Sequence, residues 1–280
     1  MNAAVPQSGS AVPSGALVPD PVLEIRRLGK SFGGLQVTRD ISLTLNAGER
    51  LGLIGPNGAG KTTLINLITG VLMPDTGTVY LNAVNLNGLS QPQRVKRGLA
   101  RTFQITQLAP KITTLLQVEM AIHERNGSIG NLWRSVDAYP EVREEAMGIL
   151  EMLRIESLAQ RPPITLAYGE QRLVEIALAI ALRPRVLLLD EPMAGVPEPE
   201  RHIVLNALDR LPPELAILMI EHDMDLIFNF AHRIIVLAEG ALLADGAPKQ
   251  IRNHPAVRIA YLGLGSDPDQ PMIAAELDPH

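Results

Sequence analysis

Apolar and polar positions follow three rhythms along this chain. Short apolar runs broken by polar residues, VLEIRRLGKSF and ISLTLNAGE, read as strands parted by the turn Gly33-Gly34, and TGTVYLN reads as another. Unbroken apolar runs at Leu51–Gly55, in RVLLLDEP and in LAILMIEHD read as strands buried on both faces, and RIIVLAEG with ALLADG reads as a hairpin. Apolar residues at helical spacing fill LLQVEMAIHER, EEAMGILEMLRIESL and GEQRLVEIALAIAL, and a helix is predicted from about Lys61 to Thr69. From about Thr114 to Gln160 this helical rhythm predicts an all-helical subdomain. Strands alternating with helices predict an α/β fold with a mainly parallel sheet. The chain shows no internal repeat.

Composition narrows the class. Of 280 residues, 46% are hydrophobic and 20% charged, as in a soluble globular protein, and the length suits one large domain or a domain with an insert. A net charge of −5 argues against nucleic acid as the main partner. There is no cysteine, which excludes disulfides and cysteine-based metal sites and fits a reducing compartment. The apolar stretch Ile176–Leu182 stops at Arg183-Pro184-Arg185, far short of the roughly 20 residues of a membrane-spanning helix. Residues 1–21 lack the basic start and apolar core of a secretory signal and read as a disordered lead-in. Residues from 265 to 280 read as a loose tail.

Candidate chemistry lies between the strands. Gly55-Pro56-Asn57-Gly58-Ala59-Gly60-Lys61-Thr62 fits G-x-x-x-x-G-K-[ST], after an apolar strand and at the start of a helix. Glycines let the backbone curl so that its N–H groups face phosphate oxygens, and the helix adds its positive end. Lys61 would reach the β- and γ-phosphates, Thr62 would ligate Mg²⁺, and Thr63 follows within the same first turn. Asp190 ends an apolar strand at the sheet's carboxyl edge and would hold Mg²⁺, directly or through water. Glu191, next in line, would orient and polarise an attacking water; two adjacent acids with separate tasks point to hydrolysis. Glu221-His222-Asp223 is not read as a metal site, since no second His or Cys cluster lies at ligand spacing.

Further stretches in order carry a family resemblance. Gln104 in RTFQ resembles a glutamine loop, LAYGEQR (Leu166, Ala167, Tyr168, Gly169 and Glu170, on to Arg172) resembles a signature sequence, and His222 in MIEHD resembles a switch histidine. Phe32 in KSFGG resembles an aromatic that stacks on adenine. Together with the glycine loop and the paired acids, they make the chain, from about Val22 to Gly263, similar to ATP-binding-cassette (ABC) ATPases. The resemblance implies a P-loop NTPase fold of ABC type over residues 22–264, with an antiparallel β subdomain and a helical subdomain inserted at about 105–183. It implies ATP and Mg²⁺ as cofactors, with Gln104 touching the ion and the water and His222 stabilising γ-phosphate charge. The signature of one subunit would meet the γ-phosphate held by another, in a head-to-tail pair. Two departures stand out: Ala167 replaces the usual serine and Glu170 the usual glutamine. Pro197, in the turn after Glu191, stands where Asp or Asn is usual.

The insert between Gln104 and Leu166 is about 60 residues with no heptad run, unlike the ABC proteins of DNA repair, and one nucleotide-binding domain is unlike those of translation. The resemblance therefore implies a transporter ATPase, peripheral on the cytoplasmic face of the membrane. Its partners would be two integral membrane permease subunits, docked beside Gln104, a second ATPase subunit and, indirectly, a periplasmic substrate-binding protein. The segments LARTFQ, EPMAGV, IEHDMDLIF and IRNHPAVRIAYLG are similar to ATPase subunits of branched-chain (hydrophobic) amino-acid importers. Subunits for urea, amides or lipopolysaccharide, or a soluble ATP-driven switch, are the alternatives.

Overall fold

The computed structural model describes residues 21–102, 108–127 and 139–262. Its strands form two sheets. A smaller one has the order β2-β1-β4-β5 and is antiparallel throughout, built from β1 (Leu23–Phe32), β2 (Leu35–Leu45), β4 (Thr76–Leu81) and β5 (Val84–Asn85). Gly33 and Gly34 carry φ of 53° and 93°, the left-handed pair that a tight two-residue hairpin demands. Pairing begins at once with Phe32 opposite Leu35, so β2 starts before the ISLTL alternation that marks it in sequence.

The larger sheet has the order β10-β9-β3-β8-β7-β6. Its members are β3 (Arg50–Ile54), β6 (Leu99–Arg101), β7 (Val186–Asp190), β8 (Ala216–Ile220), β9 (Arg233–Ala238) and β10 (Ala241–Gly246). All neighbours are parallel except the hairpin β9–β10. The unbroken apolar strands are buried on both faces, as expected of a parallel sheet. Leu187 and Leu189 of β7 join one core, while Val186 and Leu188 join the other, as the two-residue side-chain period requires.

The first core also takes in α3 (Thr114–Arg125), α4 (Pro140–Met152) and α5 (Tyr168–Ala181), through residues such as Val118, Ala146 and Ala177. Glu145 of α4 binds Arg125 of α3 at 2.7 and 2.9 Å, and also Arg183 just past α5 at 2.9 Å. The second core seats α1 (Lys61–Thr69) under the antiparallel sheet. Among the described residues, five further α-helices have no apolar rhythm in the sequence that marks them: α2 (Gln91–Lys96), α6 (Glu198–Leu208), α7 (Met224–Phe230), α8 (Pro248–Arg252) and α9 (Pro255–Leu262). The structure thus has the α/β, mainly parallel architecture expected of the sequence, with the antiparallel sheet and helices beside it. No helix among the described residues is long and apolar enough to cross a membrane.

Candidate functional site

Strands β3, β8, β7 and β6 are consecutive neighbours and parallel, so their carboxyl ends lie along one edge. The glycine loop follows β3, His222 follows β8, the acids end β7, and Arg101 ends β6. Topology alone brings together segments that are far apart in sequence, at the sheet edge where α/β folds bind ligands.

Crowding, backbone conformation or both require each loop glycine. At Gly55 a Cβ would meet the Leu237 carbonyl oxygen at 2.3 Å, and at Gly60, φ 97°, the Val37 carbonyl oxygen at 2.7 Å. Gly58 has φ 79° but faces open space, so there the conformation and not crowding selects glycine. Gly60 precedes α1 without a side-chain cap, which leaves the first N–H groups of the helix for an external acceptor. Such a concave, amide-lined loop at a helix N-terminus fits a polyphosphate. Lys61 lies over it, its Nζ donating to the carbonyls of Gly55 at 2.6 Å and Pro56 at 3.1 Å. Burial lowers the Lys61 pKa, and the charge of Glu191 partly opposes that shift.

The back of α1 is held as firmly. Arg94, 1% exposed, donates to the carbonyls of Leu67 (2.9 Å), Ile68 (2.6 Å) and Leu89 (3.1 Å). A guanidinium there suits both the orphan carbonyls and the negative end of the helix.

At the end of β7 the two acids diverge. Asp190 is 2% exposed and pairs with Arg101, which also reaches Asn66 of α1 at 2.9 Å. Such a buried carboxylate is a hard oxygen donor of the kind that a divalent cation prefers. Glu191 adopts φ 48°, unusual for a residue with a side chain, and its N–H bonds the Ile220 carbonyl at 2.9 Å. Its carboxylate meets His222, Oε1 to Nε2, at 2.8 Å.

The residues around His222 separate. Asp223 caps α7, accepting from the Leu226 N–H at 3.1 Å, and pairs with Arg201 at 3.1 Å. Glu221 points inward, 5% exposed. Phe32, 45% exposed at the tip of the β1–β2 hairpin, has Lys30 Nζ 5.7 Å from its ring centroid.

The signature stretch opens α5 against the turn that follows Glu191. Ala167 is its N-cap and can offer no side-chain acceptor; its own N–H is bonded by Glu170 at 2.9 Å. The Gly169 N–H donates to Glu200 of α6 at 3.0 Å, and any Cβ on Gly195 would meet the Tyr168 ring at 2.8 Å. Arg172 of α5 reaches the Ala194 carbonyl at 3.2 Å. Signature and acid turn are therefore packed on each other within one chain. Pro197 is the N-cap of α6.

Gln104 lies outside the described residues. Arg101, Glu221, Glu200 and Tyr261 were not singled out as site residues in the sequence. Burial raises the pKa of Tyr261 of α9 strongly, and the Gly55 backbone partly opposes that shift. Among them only Arg101 carried a signal, its place three residues before Gln104 at the end of a strand.

Residues 38–194 match the protein-family model described as ABC transporter, and residues 241–265, which include Tyr261, match that of the branched-chain amino acid ATP-binding cassette transporter. The chain is 39% identical over 254 residues to the high-affinity branched-chain amino acid transport ATP-binding protein LivG of Escherichia coli K12, covering 87% of this chain and 98% of that one. To BraF of Pseudomonas aeruginosa, of the same description, it is 37% identical over 251 residues, with the same coverage. Among solved structures, the ADP conformation of MJ1267, an ATP-binding cassette of an ABC transporter, superposes with a TM-score of 0.75 at 30% identity, covering 87% of this chain and 99% of that one. The dimeric MJ0796, a bacterial ABC transporter cassette, superposes with a TM-score of 0.67 at 25% identity, covering 81% and 98%.

Proposed function

Because this chain belongs to the ABC transporter ATP-binding family, we propose that it is the Mg²⁺-dependent ATPase subunit of an importer for branched-chain, hydrophobic amino acids. The carrying observation is the convergence of the glycine loop, Asp190, Glu191 and His222 on one sheet edge, with Glu191 and His222 in contact. The relatives' names and the match over residues 241–265 support the substrate class.

In this reading the amides of Gly58 to Thr63 and the Lys61 ammonium hold the phosphates, and Phe32 stacks on the purine. Thr62, Asp190 and Gln104 would hold Mg²⁺, whose chemistry when bound is to neutralise charge on the β- and γ-phosphate oxygens. Glu191 accepts a hydrogen bond from the attacking water, and His222 steadies Glu191 and the γ-phosphate charge. Leu166 to Glu170 face the nucleotide of the opposite subunit; with Ala167 in place of a serine, amides at the start of α5 take that role alone. The groove of about 340 Å³ lined by Thr102, Leu108, Gln117, Met120 and Leu178 receives a permease segment. A second ATPase chain completes the pair, and a periplasmic binding protein delivers substrate on the far side.

Turnover by Glu191→Gln in the assembled transporter tests the assignment. ATP binding is expected to persist while hydrolysis is lost; undiminished hydrolysis refutes Glu191 as the base. Uptake of labelled leucine against labelled urea or an amide, with wild-type protein, tests the substrate class.

A further inference from the structure

Glu221 occupies the last position before His222, where β8 has ended. While His222 is about half exposed, Glu221 is almost wholly buried. Its two oxygens have separate partners. Oε1 accepts the N–H of Met193 at 2.8 Å, and Oε2 accepts the N–H of His222 at 3.1 Å. Met193 stands two residues beyond Glu191, in the turn that follows it, where the Ala194 N–H bonds the Glu191 carbonyl at 3.0 Å. One carboxyl group therefore holds the backbone on both sides of the Glu191–His222 contact, bridging loops from two neighbouring strands.

Burying a carboxyl group is unfavourable, and here it raises the pKa of Glu221, with the two N–H bonds opposing that shift. An apolar residue would fill the space without that penalty but would orphan both amides. The placement makes sense if the two loops must be tied to each other.

We propose that Glu221 is a positioning residue for ATP hydrolysis: its carboxyl oxygens clamp the His222 loop to the turn after Glu191 and so fix the distance between the two reacting side chains. The inference rests on the roles assigned above to Glu191 and His222. Displacing such a pair by about 1 Å is enough to lower a rate on the order of a hundredfold without weakening nucleotide binding.

Two substitutions test it in the assembled transporter. Glu221→Gln keeps one acceptor oxygen and turns an NH₂ toward the other amide; Glu221→Leu keeps neither. The expected order of kcat is Glu, then Gln lower by about tenfold, then Leu lower by about a hundredfold. KM for ATP should stay within about twofold, since the phosphate loop is untouched. Wild-type kcat in both variants overturns the clamp. So does a loss in which KM rises in step with a falling melting temperature, the signature of a merely structural residue. Should the Leu variant not fold, the kcat of Glu221→Gln decides alone. Glu191→Gln serves as the control: if it hydrolyses ATP normally, the assignment of Glu191 has failed. If it is inactive while both Glu221 variants are unimpaired, only the clamp has failed.

Discussion

The Oε1 atom of Glu191 stands 2.8 Å from Nε2 of His222, across 31 residues of sequence and from the ends of two adjacent strands. In the proposed roles, a base and its orienting partner in contact act as one unit, so their losses should not add. His222→Ala is expected to lower ATP turnover by about 10²–10³-fold with ATP binding retained. The double variant with Glu191→Gln should be no slower than the slower single one. Fully multiplicative losses in steady-state ATPase assays would show that the contact has no bearing on the chemistry.

Arg101 neutralises the buried Asp190, and removing one partner of such a pair leaves an uncompensated charge worth about 3–5 kcal/mol. Arg101→Ala should therefore lower the melting temperature of the nucleotide-free protein. In the proposed site Mg²⁺ with ATP would restore positive charge near Asp190, so the gain in melting temperature on adding both should exceed that of wild type. Equal gains in a thermal-shift titration would argue against Asp190 as an ion ligand.

Ala167 has the extended backbone, φ −63° and ψ 160°, of a helix N-cap, yet brings no acceptor for the amides of α5. Ala167→Ser should stabilise the protein by about 0.5–1 kcal/mol, a rise of roughly 1–4 °C for a domain of this size. The added hydroxyl should also lower KM for ATP in the assembled transporter. Calorimetry showing no stabilisation would mean that the start of α5 is already satisfied, with Glu200 on Gly169 the obvious reason.

The Arg125 and Arg183 guanidiniums hold the Glu145 carboxyl below its ordinary value of 4.5. A depressed carboxyl contributes stability that is present above the unfolded-state pKa and disappears as the pH falls through the native one. Glu145→Gln should accordingly cost about 1 kcal/mol near pH 7, the partial exposure of the trio being allowed for. That deficit should close as the pH drops below 4.5. A deficit independent of pH in denaturant titrations would assign the effect to packing instead.

The legibility of this chain follows the range of its interactions. The glycine loop and the acids of β7 could be read directly, because strand, loop and helix start are contiguous and each residue type there has a local reason. The Glu191–His222 contact could not be read, since it depends on β7 and β8 being neighbours. Arg101 and Glu221 escaped for the same reason: their partners lie 89 and 28 residues away. The short helices α2, α7 and α8 span 6, 7 and 5 residues, too few turns for an apolar rhythm to show. α6 buries only Val204, Ala207 and Leu208, so its pattern is faint as well.

The guanidinium of Arg94 at the rear of α1 has a mechanical consequence. A helix of 9 residues is gripped at its tail by a cation sunk among carbonyls, while glycines pressed against Val37 and Leu237 fix its head. The proposed phosphate cradle is thereby an anvil rather than a spring. Motion in a transport cycle is then expected of the elements that meet it.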